Sequence, residues 1–180
     1  MISLIDCKEH RMHCCRQGRK RIVRGLLLLL FVAPFLLPTA CGSPDVPLPQ
    51  SIGKLRLEKV ESGEEARQAI DRLHGKQIGF QRGYIGLYRA ENGSAQLWLS
   101  EHKSEREATE AVERMARSMI QGKQQSFWHF RQIVIEERTV YFAVGMGQVH
   151  YFFPKGSKVV WLAVDPKLAR GAVRDAVRKF

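Results

Sequence analysis

The sequence predicts an α+β domain: a largely antiparallel sheet with helices on one face. Three observations predict it. Three stretches carry apolar residues at helical spacing, each behind a helix-start signal. Seven short runs rich in β-branched and aromatic residues lie around them. Most consecutive runs are joined by a few turn residues, which suits hairpins rather than crossovers.

Leu55 and Leu57 alternate in a short first strand. Ser62-Gly63-Glu64-Glu65 reads as a capping box, in which serine and glutamate side chains satisfy free N–H groups of the first turn. Ala66, Ala69, Ile70 and Leu73 follow at helical spacing, and Gly75 can stop the helix. Runs at 84–89 and 96–100 flank Asn92-Gly93, a hairpin signal. Ser104-Glu105-Arg106-Glu107 is a second capping box, followed by the stripe Ala108, Ala111, Val112, Met115 and Met119, with Gly122 as its stop. Strands are expected at 130–136, 139–144, 149–153 and 158–164. Asp165-Pro166 reads as an N-cap with proline in the first helical position, opening a last helix whose apolar stripe includes Leu168, Ala172, Val173 and Ala176.

The order is β-α-β-β-α-β-β-β-β-α, and its β-α-β-β-α-β opening suits a ferredoxin-like arrangement. The first two helices superpose at an offset of 42 residues: Ser62 on Ser104, Glu65 on Glu107, Ala66 on Ala108, Leu73 on Met115. A duplication would leave that pattern, and so would any two capped amphipathic helices.

Charge and cysteine bound the function. The net charge is +11 over 180 residues. Residues 1–40 hold seven Lys/Arg against Asp6 and Glu9, so +5 of it lies there and +6 in the remainder. All four cysteines (Cys7, Cys14, Cys15 and Cys41) lie at or before position 41. The domain behind them has no thiol nucleophile, disulfide or cysteine-based metal site, so its fold must rest on apolar burial.

Residues 16–24, RQGRKRIVR, are strongly basic, and residues 25–37, GLLLLLFVAPFLL, are apolar. Those thirteen residues span roughly 20 Å as a helix. A membrane-spanning helix needs about 20 residues. The pattern is that of a secretory signal peptide, with its charge on the side that stays in the cytoplasm. The stretch before Met12 is unusual for a signal, which makes Met12 an alternative start to Met1.

The segment closes Leu37-Pro38-Thr39-Ala40-Cys41-Gly42. It resembles the lipobox of bacterial lipoproteins, where a small residue precedes a cysteine that receives the lipid. That family's leucine three residues before the cysteine is Pro38 here, with Leu37 one step earlier. The resemblance implies a lipid on Cys41 that anchors an exported chain to the membrane. With Gly42 rather than Asp after the cysteine, it implies the outer membrane in a two-membrane cell. The alternative is ordinary cleavage after Ala40, although Pro38 breaks the A-x-A pattern of such a site. The resemblance stops at the signal segment.

Residues 42–53, GSPDVPLPQSIG, carry Pro44, Pro47 and Pro49 and read as an extended tether of roughly 35 Å. The expected division is a signal peptide at 1–40, the lipidated cysteine and tether at 41–53, and one domain at 54–180.

No metal or cofactor is expected. His74, His102, His129 and His150 form no close ligand pair, and no zinc-helix, haem or calcium motif occurs. Gly145-Met146-Gly147 lacks the third glycine and the strand-to-helix context of a phosphate loop, and reads as a hairpin bend. Two clusters remain. Trp128, His129, Arg131 and His150 form a candidate ligand face if their strands bring them together, with rings to stack a ligand and imidazoles to serve as bases. Ordinary strand packing explains the same residues. Arg170, Arg174 and Arg178 recur every four residues on the last helix, a candidate basic stripe for an envelope protein or an anionic envelope polymer. Cations near a helix C-terminus also suit its dipole. The export address argues against nucleic acid.

The functional expectation is a non-enzymatic binding or assembly module in the cell envelope. The alternatives are a periplasmic small-ligand-binding domain and, with less support, an envelope enzyme with a histidine base.

Overall fold

The structure, a computed structural model, describes residues 46–74, 77–122 and 126–180. The segment read as a signal peptide, Cys41 and Gly75 lie outside them. Among the described residues, no helix is long and apolar enough to cross a membrane.

Strands and helices follow in the order β1 (Ser51–Ile52), β2 (Leu55–Ser62), α1 (Gly63–His74), β3 (Arg82–Ala90), β4 (Gly93–Glu101), α2 (Glu105–Ile120), β5 (Phe127–Ile135), β6 (Arg138–Gly145), β7 (Gln148–Lys155), β8 (Lys158–Val164) and α3 (Ala169–Lys179). The fold is α+β. All the strands join one sheet in the order β1-β2-β3-β4-β8-β7-β6-β5, and every neighbouring pair is antiparallel.

The ferredoxin-like opening does not occur. That arrangement needs a βαβ crossover between parallel strands, whereas β2 and β3 are antiparallel neighbours with Ser62 opposite Tyr84. Gly63, at φ 63°, turns the chain out of β2 into α1, and the chain comes back to begin β3 at the same end of the sheet. Arg67 of α1 braces the return by donating to the carbonyls of Phe80 at 2.9 Å and Gln81 at 3.0 Å. The offset of 42 residues also finds no counterpart in the topology. The strand order is symmetric about the β4–β8 pair, which makes α2, after β4, the counterpart of α3, after β8, and leaves α1 inside the first meander.

Helices cover both faces of the sheet rather than one. Ala169, Ala172, Val173, Ala176 and Val177 of α3 pack against Leu97, Leu99, Val160 and Leu162. On the other face, Ala108, Val112 and Ala116 of α2 pack against Phe152 and Val159, and Ala66 and Ile70 of α1 pack against Ile85. The cause is β8. Its sequence KVVWLAV is apolar at successive positions, so both of its faces need cover.

The segment read as a tether belongs to the domain from residue 46 onward. Leu48 and Ile52 are buried, and Val46 packs beside them. The Tyr88 hydroxyl donates to the Pro49 carbonyl at 2.9 Å. Gly86 makes room for this: a Cβ there would stand 3.1 Å from Leu48 Cδ1 and 2.7 Å from Tyr88 Cε2. A proline-rich stretch with apolar residues between its prolines can line a core as well as span a gap.

Asp165 does not cap α3. Its carboxylate accepts from the Ser94 N–H at 2.6 Å, and Gly93 permits the approach because a Cβ there would stand 2.7 Å from Asp165 Oδ2. The helix proper begins at Ala169. Ser104 does cap α2, accepting from the Glu107 N–H at 3.2 Å.

Candidate functional site: a groove between α1 and α2

The face carrying α1 and α2 is built on rings. Trp161, Phe152, Tyr141 and Phe130 stand side by side on β8, β7, β6 and β5. Successive centroids are 4.8, 5.1 and 5.9 Å apart and successive planes are within 16° of parallel. That spacing is close to the distance between strands. Trp98 on β4 lies directly opposite Trp161 on β8 and continues the floor toward α1. The sheet-facing stripe of α2, at Ala108, Val112 and Ala116, is small enough to bring the helix close. Its neighbouring stripe, Ala111, Met115, Ser118 and Met119, is left to face sideways.

Between that stripe and α1 runs a groove of about 410 Å³, floored by Trp98, Ser100, Val159 and Trp161. Ile70, Leu73 and His74 form the α1 wall. Phe127, Met146 and His150 close one end. Leu73 and Met146 are 59% and 63% exposed, so the groove opens through an apolar mouth. Met146 sits at φ 51° beside Gly147 at φ 76° in the β6–β7 turn. A left-handed backbone is uncommon for a bulky residue, and at this turn it places the Met146 side chain against the groove. The three methionines beyond position 41 are Met115, Met119 and Met146, and all three line it. Methionine is the side chain best suited to a surface that adapts to apolar ligands.

The polar side chains of the groove are His74, Ser100, His102, Arg114, Ser118, Ser126 and His150. His150 is buried and fully engaged: its Nε2 meets the Gly145 carbonyl at 3.0 Å and its Nδ1 meets the Trp161 indole N–H at 3.2 Å. A carbonyl only accepts and an indole N–H only donates, so the ring is neutral with its proton on Nε2. Burial holds its pKa below the ordinary histidine value against the opposing bond to Gly145. His102 is also buried, and its Nε2 meets Ser100 Oγ at 3.1 Å. Burial lowers its pKa and Arg114 adds to this, while Glu107 and the Gly79 backbone pull the other way. Among the described residues, no group of three His, Cys, Asp or Glu side chains is placed to hold a metal ion.

The residues predicted as one ligand face are not brought together. Arg131 lies opposite Phe142, and its guanidinium covers that ring 4.6 Å from the centroid. Trp128 lies opposite Val144, so by strand alternation it shares the face that carries α3. His150 lies opposite Ala143 and points to the other face, against Phe127 at 4.9 Å. His129, exposed at φ 55°, sits in the bulge between Trp128 and Arg131. That bulge adds a residue to β5, which a register counted from sequence cannot include.

The basic stripe is partly spent on the fold. Arg174 and Arg178 both donate to Glu136 Oε1 at 3.0 Å, fastening the β5–β6 turn to α3. Lys179 secures the other end of the sheet by donating to the Ser51 carbonyl at 2.8 Å. Of the stripe, Arg170 has no ion pair among the described residues.

In comparison with known proteins, no family model, no curated protein and no solved structure matches this chain.

Proposed function

We propose that this protein is an exported, lipid-anchored binding module of the cell envelope that takes up a small, largely apolar ligand between α1 and α2. The observation that carries the reading is the groove: about 410 Å³, mostly apolar on its walls, floored by two tryptophans and mouthed by exposed Leu73 and Met146. Small-ligand sites run from roughly 300 to 1,000 Å³ and combine apolar linings with few polar groups. The anchor rests on the Cys41 pattern in the sequence. Assembly through Arg170, Arg174 and Arg178 has less support, because Glu136 already engages two of the three.

The test is to export residues 42–180 in the same cells behind a signal peptide without a lipobox, to purify them without detergent and to identify co-purifying small molecules by mass spectrometry. The groove-filling variant Ala111→Trp serves as control. One species enriched with the native protein and lost from a folded Ala111→Trp protein is the expected result. Identical profiles for the two would contradict the reading.

A second reading, hydrolysis of an ester, rests on the Ser100–His102 pair, a hydroxyl and an imidazole 3.1 Å apart on the groove floor. It predicts turnover of medium-chain nitrophenyl esters that Ser100→Ala abolishes. Turnover unchanged in Ser100→Ala removes it.

A further inference from the structure

We propose that the ligand is a single-chain amphiphile with one anionic head group, and that Arg114 holds the head while the chain lies along the tryptophan floor. The inference rests on the groove reading above and adds the charge and shape of the occupant. Arg114 stands on the groove-facing stripe of α2, one turn from both Ala111 and Ser118. Its intrahelical acceptor, Glu110, is 3.9 Å away and lies closer to Arg106, at 3.3 Å. The guanidinium therefore keeps donors to spare, and its planar fork matches a carboxylate with two parallel hydrogen bonds.

The rest of the lining is complementary to an anion. No carboxylate occurs among the described lining residues, whose ionisable members are His74, His102, Arg114 and His150. Arginine stays charged at every physiological pH. The bonds of His150 to a carbonyl and to an indole N–H hold its ring neutral, and the fixed positive charge of the lining stands at Arg114 and not along the tryptophan floor. Arg114 is the one Lys or Arg among the described lining residues, and the walls of Ile70, Leu73, Met115 and Met119 near it are apolar. The occupant best matched is one charge with one apolar tail.

The experiment titrates the purified protein with decanoate, 1-decanol and decyltrimethylammonium, each below its aggregation limit, following the fluorescence of Trp98 and Trp161. The expected result is decanoate binding roughly tenfold or more tighter than the other two, the size a charge-assisted bidentate contact supplies. Arg114→Gln should lower decanoate affinity to that of 1-decanol and so erase the preference. Equal affinities for all three, or a preference that survives Arg114→Gln, overturns the anionic assignment and leaves the groove reading standing. Binding of none of the three overturns both.

Discussion

Trp161 donates its indole N–H to Nδ1 of His150 across neighbouring strands, at 3.2 Å. The opposite side of the imidazole meets the Gly145 carbonyl. Protonating Nδ1 would set one N–H against another inside the sheet's ring-lined face.

Stability should therefore fall as the solution is acidified. A histidine whose folded pKa is depressed contributes stability that is present above the unfolded value, about 6.5, and is lost as pH falls through the folded value. His102 acts in the same direction. Urea midpoints measured from pH 8 to pH 5 should drop, and His150→Phe should flatten the drop relative to native protein. A native profile flat across that window would contradict the neutral assignment.

The acid response at Glu136 lies lower. Its bond to Arg174 comes first, opposed by burial, and with Arg178 the net effect holds its carboxyl below the ordinary carboxylate value. The latch between the β5–β6 turn and α3 is present above the ordinary value and lost as pH falls through the depressed one. Amide exchange in β5 and β6 should accelerate in Glu136→Gln at neutral pH and leave α1 unaffected.

The same turn allows a stabilising change. Glu136 and Glu137 both hold left-handed backbone, at φ 48° and 61°, and only Glu136 repays that strain with ion pairs. Glu137→Gly should raise stability by about 1 kcal/mol. Glu136→Gly should not, because it gives up the latch. Thermal unfolding of the two variants separates these outcomes.

Residues 46–53 should behave as core. Leu48→Ala should cost about 2–4 kcal/mol and Tyr88→Phe about 1 kcal/mol. A mere tether would tolerate both without change. Denaturant unfolding of the two variants distinguishes a packed segment from a spacer.

The element order was legible because turns and caps are local. Ser104, Gly122 and the strand at 158–164 stand where spacing placed them. What depends on pairing was not legible. The antiparallel return from β2 to β3 and the β-bulge at His129 are choices between distant partners, and neither leaves a mark in a short window. One signal was present: the unbroken apolar run of β8 required cover on both faces. The groove was hidden inside the apolar stripe of α2. Met115 and Met119 pack only partly against the core under α2 and turn their remaining surface to the groove. Leu73, at helical spacing with Ala66 and Ile70, is exposed and forms half of the mouth.

The most direct measurement uses the methionines. Met115, Met119 and Met146 are the methionines beyond position 41, and all line the groove. With methionine methyl groups labelled for NMR, titration with decanoate should shift all three resonances together and saturate at one equivalent. Resonances that stay in place while the protein remains folded would contradict a ligand site between α1 and α2.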